Sequence, residues 1–250
     1  MKLLIDLGNT RLKWASWDGA DLGLGGAIVH GASTPMDFAA LWKDINNVDS
    51  AWIASVASPA LDHDLAQAIR ARFGLSPRCV RSQAQACGVR NAYAQPERLG
   101  VDRFLSLIAA RAQALEPAVI VSCGTALTLD ALAADGTHGG GLIAPSPALM
   151  QAALRGNTAR LGEPGAARVV ELADNTADAV ESGSWLAAVA LVERFVARAR
   201  VGTAPALILT GGGAQRLAEF LALPHRIDAE LVLRGLARFA DAESAPKQKC

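Results

Sequence analysis

No charge of one sign is in excess in this sequence: 24 lysines and arginines balance 24 aspartates and glutamates. Counterion release from phosphates rewards a basic surplus, so this balance argues against nucleic acid as a partner. Long apolar runs are missing too. The first run, Leu3-Leu4-Ile5, meets Asp6 at once, too short for a secretory segment, and reads as a β-strand. No later stretch approaches the ~20 apolar residues of a membrane helix, so no membrane association is expected. Cysteines are few: Cys79, Cys87, Cys123 and Cys250 show neither Cys-x-x-Cys spacing nor a histidine at zinc-finger distance. They read as reduced thiols of a cytoplasmic protein. His30, His63, His138 and His225 are scattered, without an evident Asp or Ser partner, and read as structural or surface residues. Two phosphate-binding signatures are absent as well. There is no Gly-x-x-x-x-Gly-Lys-[Ser/Thr], and no Gly-x-Gly-x-x-Gly follows a strand, so neither a P-loop nor a dinucleotide Rossmann site is expected.

What is present is a large apolar fraction, 51% of 250 residues, enough for a well-buried core in one domain or two. Leu3–Leu7 predicts a short strand that ends in a glycine turn. Leu12–Trp17 alternates as its hairpin partner, and a third strand lies near Gly26–His30. Pro35–Trp42 predicts a short helix, and Ala51–Val56 a buried strand. Ser58-Pro59 opens a helix that runs to Phe73 and stops at Gly74. A short strand at Arg78–Arg81 follows, then a loop and a helix over Val101–Leu115. Trp14, Trp17 and Trp52 fall in strand patterns and read as core.

The opening pattern then returns. Ala118–Val121 leads into Ser122-Cys123-Gly124-Thr125, with Leu127–Leu132 as hairpin partner and Gly139–Ile143 as third strand. Helices are expected over Pro147–Leu161, Thr176–Arg200 and Ala229–Phe239, with a core strand at Leu207–Leu209. This duplication predicts an α/β fold of two similar domains, 1–115 and 116–241, followed by a flexible tail at 242–250.

Four constellations carry chemistry. In Asp6-Leu7-Gly8-Asn9-Thr10, the glycine turn can present peptide N–H groups, with the Asn9 and Thr10 side chains, to phosphate oxygens. Asp6, at the strand end, suits a Mg2+ held through water, and Lys13 adds a positive charge. Read alone, the same residues are more simply an ordinary hairpin turn. Ser122-Cys123-Gly124-Thr125 is a second such turn. Thr210-Gly211-Gly212-Gly213 is a third, where a bare backbone and the following helix could face a nucleotide. The fourth is Asn91-x-Tyr93-x-x-Pro96-x-x-Leu99-Gly100-x-Asp102-Arg103. Phosphoryl transfer needs a carboxylate near the acceptor hydroxyl and cations for the moving charge. Asp102 supplies the first, and Arg103 suits an acidic substrate or the phosphoryl group. The plainer alternative is an acidic residue at a helix N-terminus beside a solvent-facing arginine.

Together these residues resemble the type III pantothenate kinases, within the superfamily of acetate and sugar kinases, actin and the heat-shock chaperone ATPases. The most specific part joins Pro96-x-x-Leu99-Gly100-x-Asp102-Arg103 to Gly124-Thr125-Ala126-x-Thr128-x-Asp130 and to Gly139-Gly140-Gly141-x-Ile143-x-Pro145, and Thr176 with Ala179 and Gly183 matches a later substrate-side motif of the family. The resemblance implies two actin-like, ribonuclease H-like domains with a nucleotide cleft between them, and ATP-dependent phosphorylation of pantothenate to 4'-phosphopantothenate. It implies that Asp6, Leu7, Gly8, Asn9, Thr10, Arg11, Leu12, Lys13 and Thr125 bind ATP, and that Asp102 accepts the proton. Tyr93, Gly100, Val101, Asp102, Arg103 and Thr176 would bind pantothenate, in a cytoplasmic homodimer. Ser122 departs from the family, which commonly places there an Asp that binds potassium or ammonium. A neutral hydroxyl is a weaker ligand, so activity nearly independent of potassium is expected. Ser146 is a milder departure, at a position where glycine is frequent. Two further functions share this pattern: an accessory transcriptional regulator of the same family, and a kinase of the superfamily acting on another small alcohol or acid.

Overall fold

Short apolar strands punctuated by glycine turns build two five-stranded sheets of one topology. The computed structural model describes residues 1–30, 38–157, 167–200 and 202–244. The start of the helix expected from Pro35, the end of the one expected to reach Leu161, and residues 245–250 of the expected tail lie outside the described residues.

In the first sheet, β1 (Lys2–Leu7), β2 (Arg11–Trp17) and β3 (Leu22–Val29) form an antiparallel meander. Helix α1 (Phe38–Leu41) leads into β4 (Ser50–Ser55), which pairs with β1 in parallel. Helix α2 (Pro59–Phe73) returns the chain to β5 (Arg78–Cys79), giving the order β3-β2-β1-β4-β5. The local signals for α2 act as expected. Ser58 Oγ accepts from Leu61 N–H, Pro59 takes the first turn, and Gly74 closes the helix at φ 70°. Leu3, Ile5 and Leu7 of β1 face one side, where Leu65 and Ile69 of α2, Leu12, Ile53 and Trp42 complete a core. Burial of each such side chain contributes about 1.5–3 kcal/mol.

A small hairpin follows, β6 (Gln85–Ala86) and β7 (Val89–Arg90), where a plain loop was expected. Its two-residue turn is Cys87-Gly88, with φ 48° and 78°. Both residues have positive φ, as a tight hairpin requires, but a cysteine in that conformation gives no local signal. Helix α3 (Val101–Ala112) ends earlier than expected, with Ala114 at φ 51°.

The second sheet repeats the plan. Strands β8 (Ala118–Cys123), β9 (Ala126–Leu132) and β10 (His138–Pro145) form the meander. Helices α4 (Pro147–Asn157) and α5 (Thr176–Ala199) follow, then β11 (Ala206–Thr210), α6 (Ala214–Ala218) and β12 (Arg226–Ile227), in the order β10-β9-β8-β11-β12. Val119, Val121, Leu127 and Leu129 pack under Trp185, Ala188 and Val192 of α5.

The chain divides into two compact units. Leu115–Ala229 is one; the other takes Met1–Ala114 and the chain from Glu230 onward. The expected second domain, 116–241, therefore ends too late, and residues 242–244 of the expected tail are helical. The final helix, α7 (Leu231–Ser244), packs on α3 and over β1 in the first unit. Lys2 Nζ donates to Asp241 Oδ1 at 2.6 Å and to the Ala240 carbonyl at 3.0 Å, while Trp17 Nε1 donates to Asp241. Amphipathic periodicity identifies such a helix but not the sheet it covers, which is why position in the chain misassigned it.

Candidate active site

Strand β1 alternates, so placing Leu3, Ile5 and Leu7 in the core leaves Lys2, Leu4 and Asp6 on the face covered by α7. Across the ladder, Asp6 stands opposite Lys13 and Leu7 opposite Leu12. The turn between them is closed by Gly8 N–H donating to the Arg11 carbonyl at 2.9 Å. Asn9, Thr10 and Arg11 are exposed. The Leu7 and Leu12 side chains are fully buried in the core, so only their backbones can serve a ligand. His30 contributes without any local signal for it: its Nε2 donates to the Gly8 carbonyl at 3.0 Å.

The half-buried Asp6 lies close to Asp102 in the first turn of α3. Burial, and next the Asp102 carboxylate, push Asp6 up to about 7, while Lys13 pulls it down. Asp6 thus sits beside one carboxylate and one lysine. A hydrated Mg2+, which takes few protein carboxylates, suits that set. Among the described residues no cluster of three or more His, Cys, Asp or Glu side chains forms a metal cage, so the ion would depend on water and phosphate for its remaining ligands.

Of the acceptor-side residues, Tyr93, Gly100, Val101, Asp102 and Arg103 sit on the same unit, and Thr176 on the other. Gly100 precedes α3, and its carbonyl receives Phe104 N–H at 3.0 Å. Val101 is buried, and Arg103 is 6% exposed. Arg103 Nη1 donates to Tyr93 Oη at 3.1 Å, with its guanidinium 5.9 Å from the Tyr93 ring centre. The loop that carries Tyr93 is pinned by Asn91, whose Oδ1 accepts from Tyr93 N–H and whose Nδ2 donates to the Pro96 carbonyl. Ser82, absent from the sequence reading, donates to the Leu99 carbonyl at 2.8 Å. Tyr93, Arg103 and Asp102 are thus set by a braced loop and a helix start.

In the second unit, Ser122 pairs with Thr128 on β9 and Thr210 on β11, so its ladder neighbours are neutral hydroxyl residues. Thr125 is exposed in a turn closed by Gly124 N–H donating to the Ala126 carbonyl at 2.9 Å. Ser146 Oγ donates to the Thr125 carbonyl at 2.9 Å and accepts from Leu149 N–H, capping α4. The third glycine turn packs its backbone against β8. Gly211 has φ 88°, and a Cβ there would lie 2.6 Å from the Cys123 carbonyl oxygen. That glycine is required by backbone packing against β8. The helix that follows, α6, is only five residues long.

Thr176 opens α5 and, with Met150, Leu154, Asn175 and Val180, lines a groove of about 570 Å3. Asn175 caps the helix, its Oδ1 accepting from Asp178 N–H at 2.9 Å. The buried Asp178 carboxylate accepts from Arg168 N–H, Arg168 Nη2 and Asn175 Nδ2. The bond from Arg168 N–H, followed by that from Asn175, holds Asp178 below the usual carboxylate range. This clasp fixes the approach to Thr176. One histidine reading needs correction. His138 has an acidic partner, Asp130, at 2.8 Å, and both are buried. The partners come together across the β9–β10 ladder, at a register shift that the sequence does not display.

Comparison with known proteins fits this construction. Residues 2–198 match the family model for type III pantothenate kinase. The chain is 44% identical, over 97% of its length and 98% of the relative's, to the type III pantothenate kinase of Xanthomonas axonopodis pv. citri. Among solved structures it resembles a protein assigned to the Baf family of transcriptional activators from Campylobacter jejuni. That match has 20% identity and a TM-score of 0.63 over 96% of this chain and 98% of the other. It also resembles the activator of 2-hydroxyisocaproyl-CoA dehydratase from Clostridium difficile, solved with bound ADPNP. There the identity is 10% and the TM-score 0.54, over 100% of this chain and 99% of the other. At such identities the two structures speak for the fold, that of the actin-like ATPases; the near full-length 44% match and the family model speak for descent. This chain belongs to the type III pantothenate kinase family.

Proposed function

We propose that the protein transfers the γ-phosphoryl group of ATP to the terminal hydroxyl of pantothenate, giving 4'-phosphopantothenate and ADP, the first step toward coenzyme A. The observation that carries this reading is the meeting of Asp6, at the end of β1, with Asp102, at the head of α3, in a chain of this family. Asp102 accepts the hydroxyl proton as the oxygen attacks the γ-phosphorus, and the bond to the bridging oxygen of ADP breaks. The residues Asp6 to Lys13, together with Thr125, hold the ATP phosphates through backbone N–H groups, hydroxyls and the Lys13 ammonium. Tyr93, Gly100, Val101, Arg103 and Thr176 hold pantothenate. Arg103 Nη1 donates to Tyr93 Oη, and a guanidinium at this place is the group suited to the pantothenate carboxylate. A Mg2+ held through water by Asp6 would neutralise charge on the phosphates.

In this reading the enzyme works in the cytoplasm as a homodimer. Among the described residues no helix is long and apolar enough to cross a membrane. Leu142 and Ile143 on β10, with Leu149 and Leu154 on α4, are exposed apolar side chains that a second subunit would cover. The test is turnover with ATP and Mg2+ against pantothenate, sugars and acetate, each with and without potassium. Phosphopantothenate is expected as the main product, at a rate nearly independent of potassium given the neutral hydroxyl of Ser122. Phosphorylation of a sugar or acetate in its place, or none above background, would overturn the assignment.

A further inference from the structure

In both units the residue directly after the third strand turns its side chain back onto the glycine turn. After β3 it is His30, whose Nε2 donates to the Gly8 carbonyl at 3.0 Å and whose N–H donates to the Thr10 carbonyl at 2.9 Å. After β10 it is Ser146, whose Oγ donates to the Thr125 carbonyl at 2.9 Å. Strand register explains the match. Val29 pairs with Arg11, the first residue of β2, and Pro145 pairs with Ala126, the first residue of β9. The next residue in each case stands opposite the last residue of the turn, Thr10 or Thr125.

The two turns also share one internal bond, from Gly8 N–H to the Arg11 carbonyl and from Gly124 N–H to the Ala126 carbonyl, each at 2.9 Å. That bond fixes the glycine N–H of each turn, and a planar peptide is fixed further once its carbonyl is held. When His30 holds the Gly8 oxygen, the N–H of Asn9 must face the opposite way. When Ser146 holds the Thr125 oxygen, it fixes the backbone that carries the Thr125 hydroxyl. Ser146 is only 2% exposed, so its bond is made out of competition with bulk water.

We propose that His30 and Ser146 are equivalent positioning residues, each locking its glycine turn in the conformation that receives nucleotide phosphates. The inference rests on the reading that a nucleotide binds at these turns, but not on the identity of the acceptor. Neither residue need touch the reacting atoms.

Calorimetry on the full chain with adenylyl imidodiphosphate and Mg2+ tests it. His30→Ala and Ser146→Ala are each expected to weaken nucleotide binding by about fivefold, the net worth of one hydrogen bond. The double variant should lose about 25-fold if the turns act independently. His30→Gln and Ser146→Thr, which keep a donor in place, should stay within about twofold of wild type. In turnover, KM for ATP should rise while KM for pantothenate holds. A role in folding alone would lower the melting temperature and leave the nucleotide Kd of the folded protein unchanged. Folded alanine variants with wild-type Kd overturn the proposal, as do conservative variants as weak as the alanine ones. If wild type binds the nucleotide and the alanine variants lose it, the proposal holds even where pantothenate is not phosphorylated, and only the acceptor assignment falls. Wild-type protein that binds no nucleotide overturns both.

Discussion

Asp6 carries a conflict between burial and charge. Burial and the neighbouring Asp102 push its carboxyl up to about 7, so the folded state favours the protonated form. The sign follows from linkage. A group whose pKa is raised on folding contributes stability that is complete below its unfolded value, about 4, and is lost as pH rises through about 7. Asp6→Asn removes the charge and with it that loss. The variant should therefore melt higher than wild type at pH 8, by about 3 °C for each kcal/mol recovered, and equal it near pH 4. Melting curves across this range check the claim, and a variant less stable than wild type at pH 8 would refute it. Asp6 and Asp102 were legible in the sequence because each stands at an element boundary, one closing an apolar strand and one opening a helix. Their mutual approach was not, since it depends on which sheet face α3 covers. His30, Ser146 and the Asp130–His138 pair were illegible for a related reason: their partners come from across a ladder, and register is absent from local sequence.

At the scale of elements, α3 is the platform on which Asp102 and Arg103 stand, and α7 is its backing. The two helices meet at Gly235, where a Cβ would lie 1.9 Å from the Leu105 carbonyl oxygen and 2.6 Å from its carbon. Backbone leaves no room there, so Gly235→Ala must push α7 off α3. Such overpacking costs about 1–3 kcal/mol or more. Urea unfolding should show a midpoint lowered accordingly, with reduced turnover as α3 shifts. An unchanged midpoint would mean that the helices do not cross this closely. Strong local signals made most elements readable: the Ser58-Pro59 start and Gly74 stop of α2, the hairpin turns, and the long apolar repeat of α5. The β6–β7 hairpin escaped because Cys87 occupies a left-handed conformation usual for Asn or Gly. Strand β12, two residues long, is too short to produce any period.

On the scale of the whole molecule, the duplication seen in the glycine turns is a duplication of topology. Each unit has three antiparallel strands followed by two parallel ones, in the same spatial order. Sequence pattern reached this because hairpin turns recur at the same place in both halves. It missed that the chain returns to its first unit at Glu230, since a C-terminal amphipathic helix can cover either sheet without changing its period. The resemblance of short motifs reached the family, and near full-length identity establishes it. The central claim is that Asp102 acts on the acceptor hydroxyl rather than on ATP. Asp102→Asn keeps the shape and removes the base, so kcat for pantothenate should fall by about 10²- to 10⁴-fold while the Kd for adenylyl imidodiphosphate stays at the wild-type value. Full turnover in that variant would contradict the account and leave Asp102 as a helix-terminal charge alone.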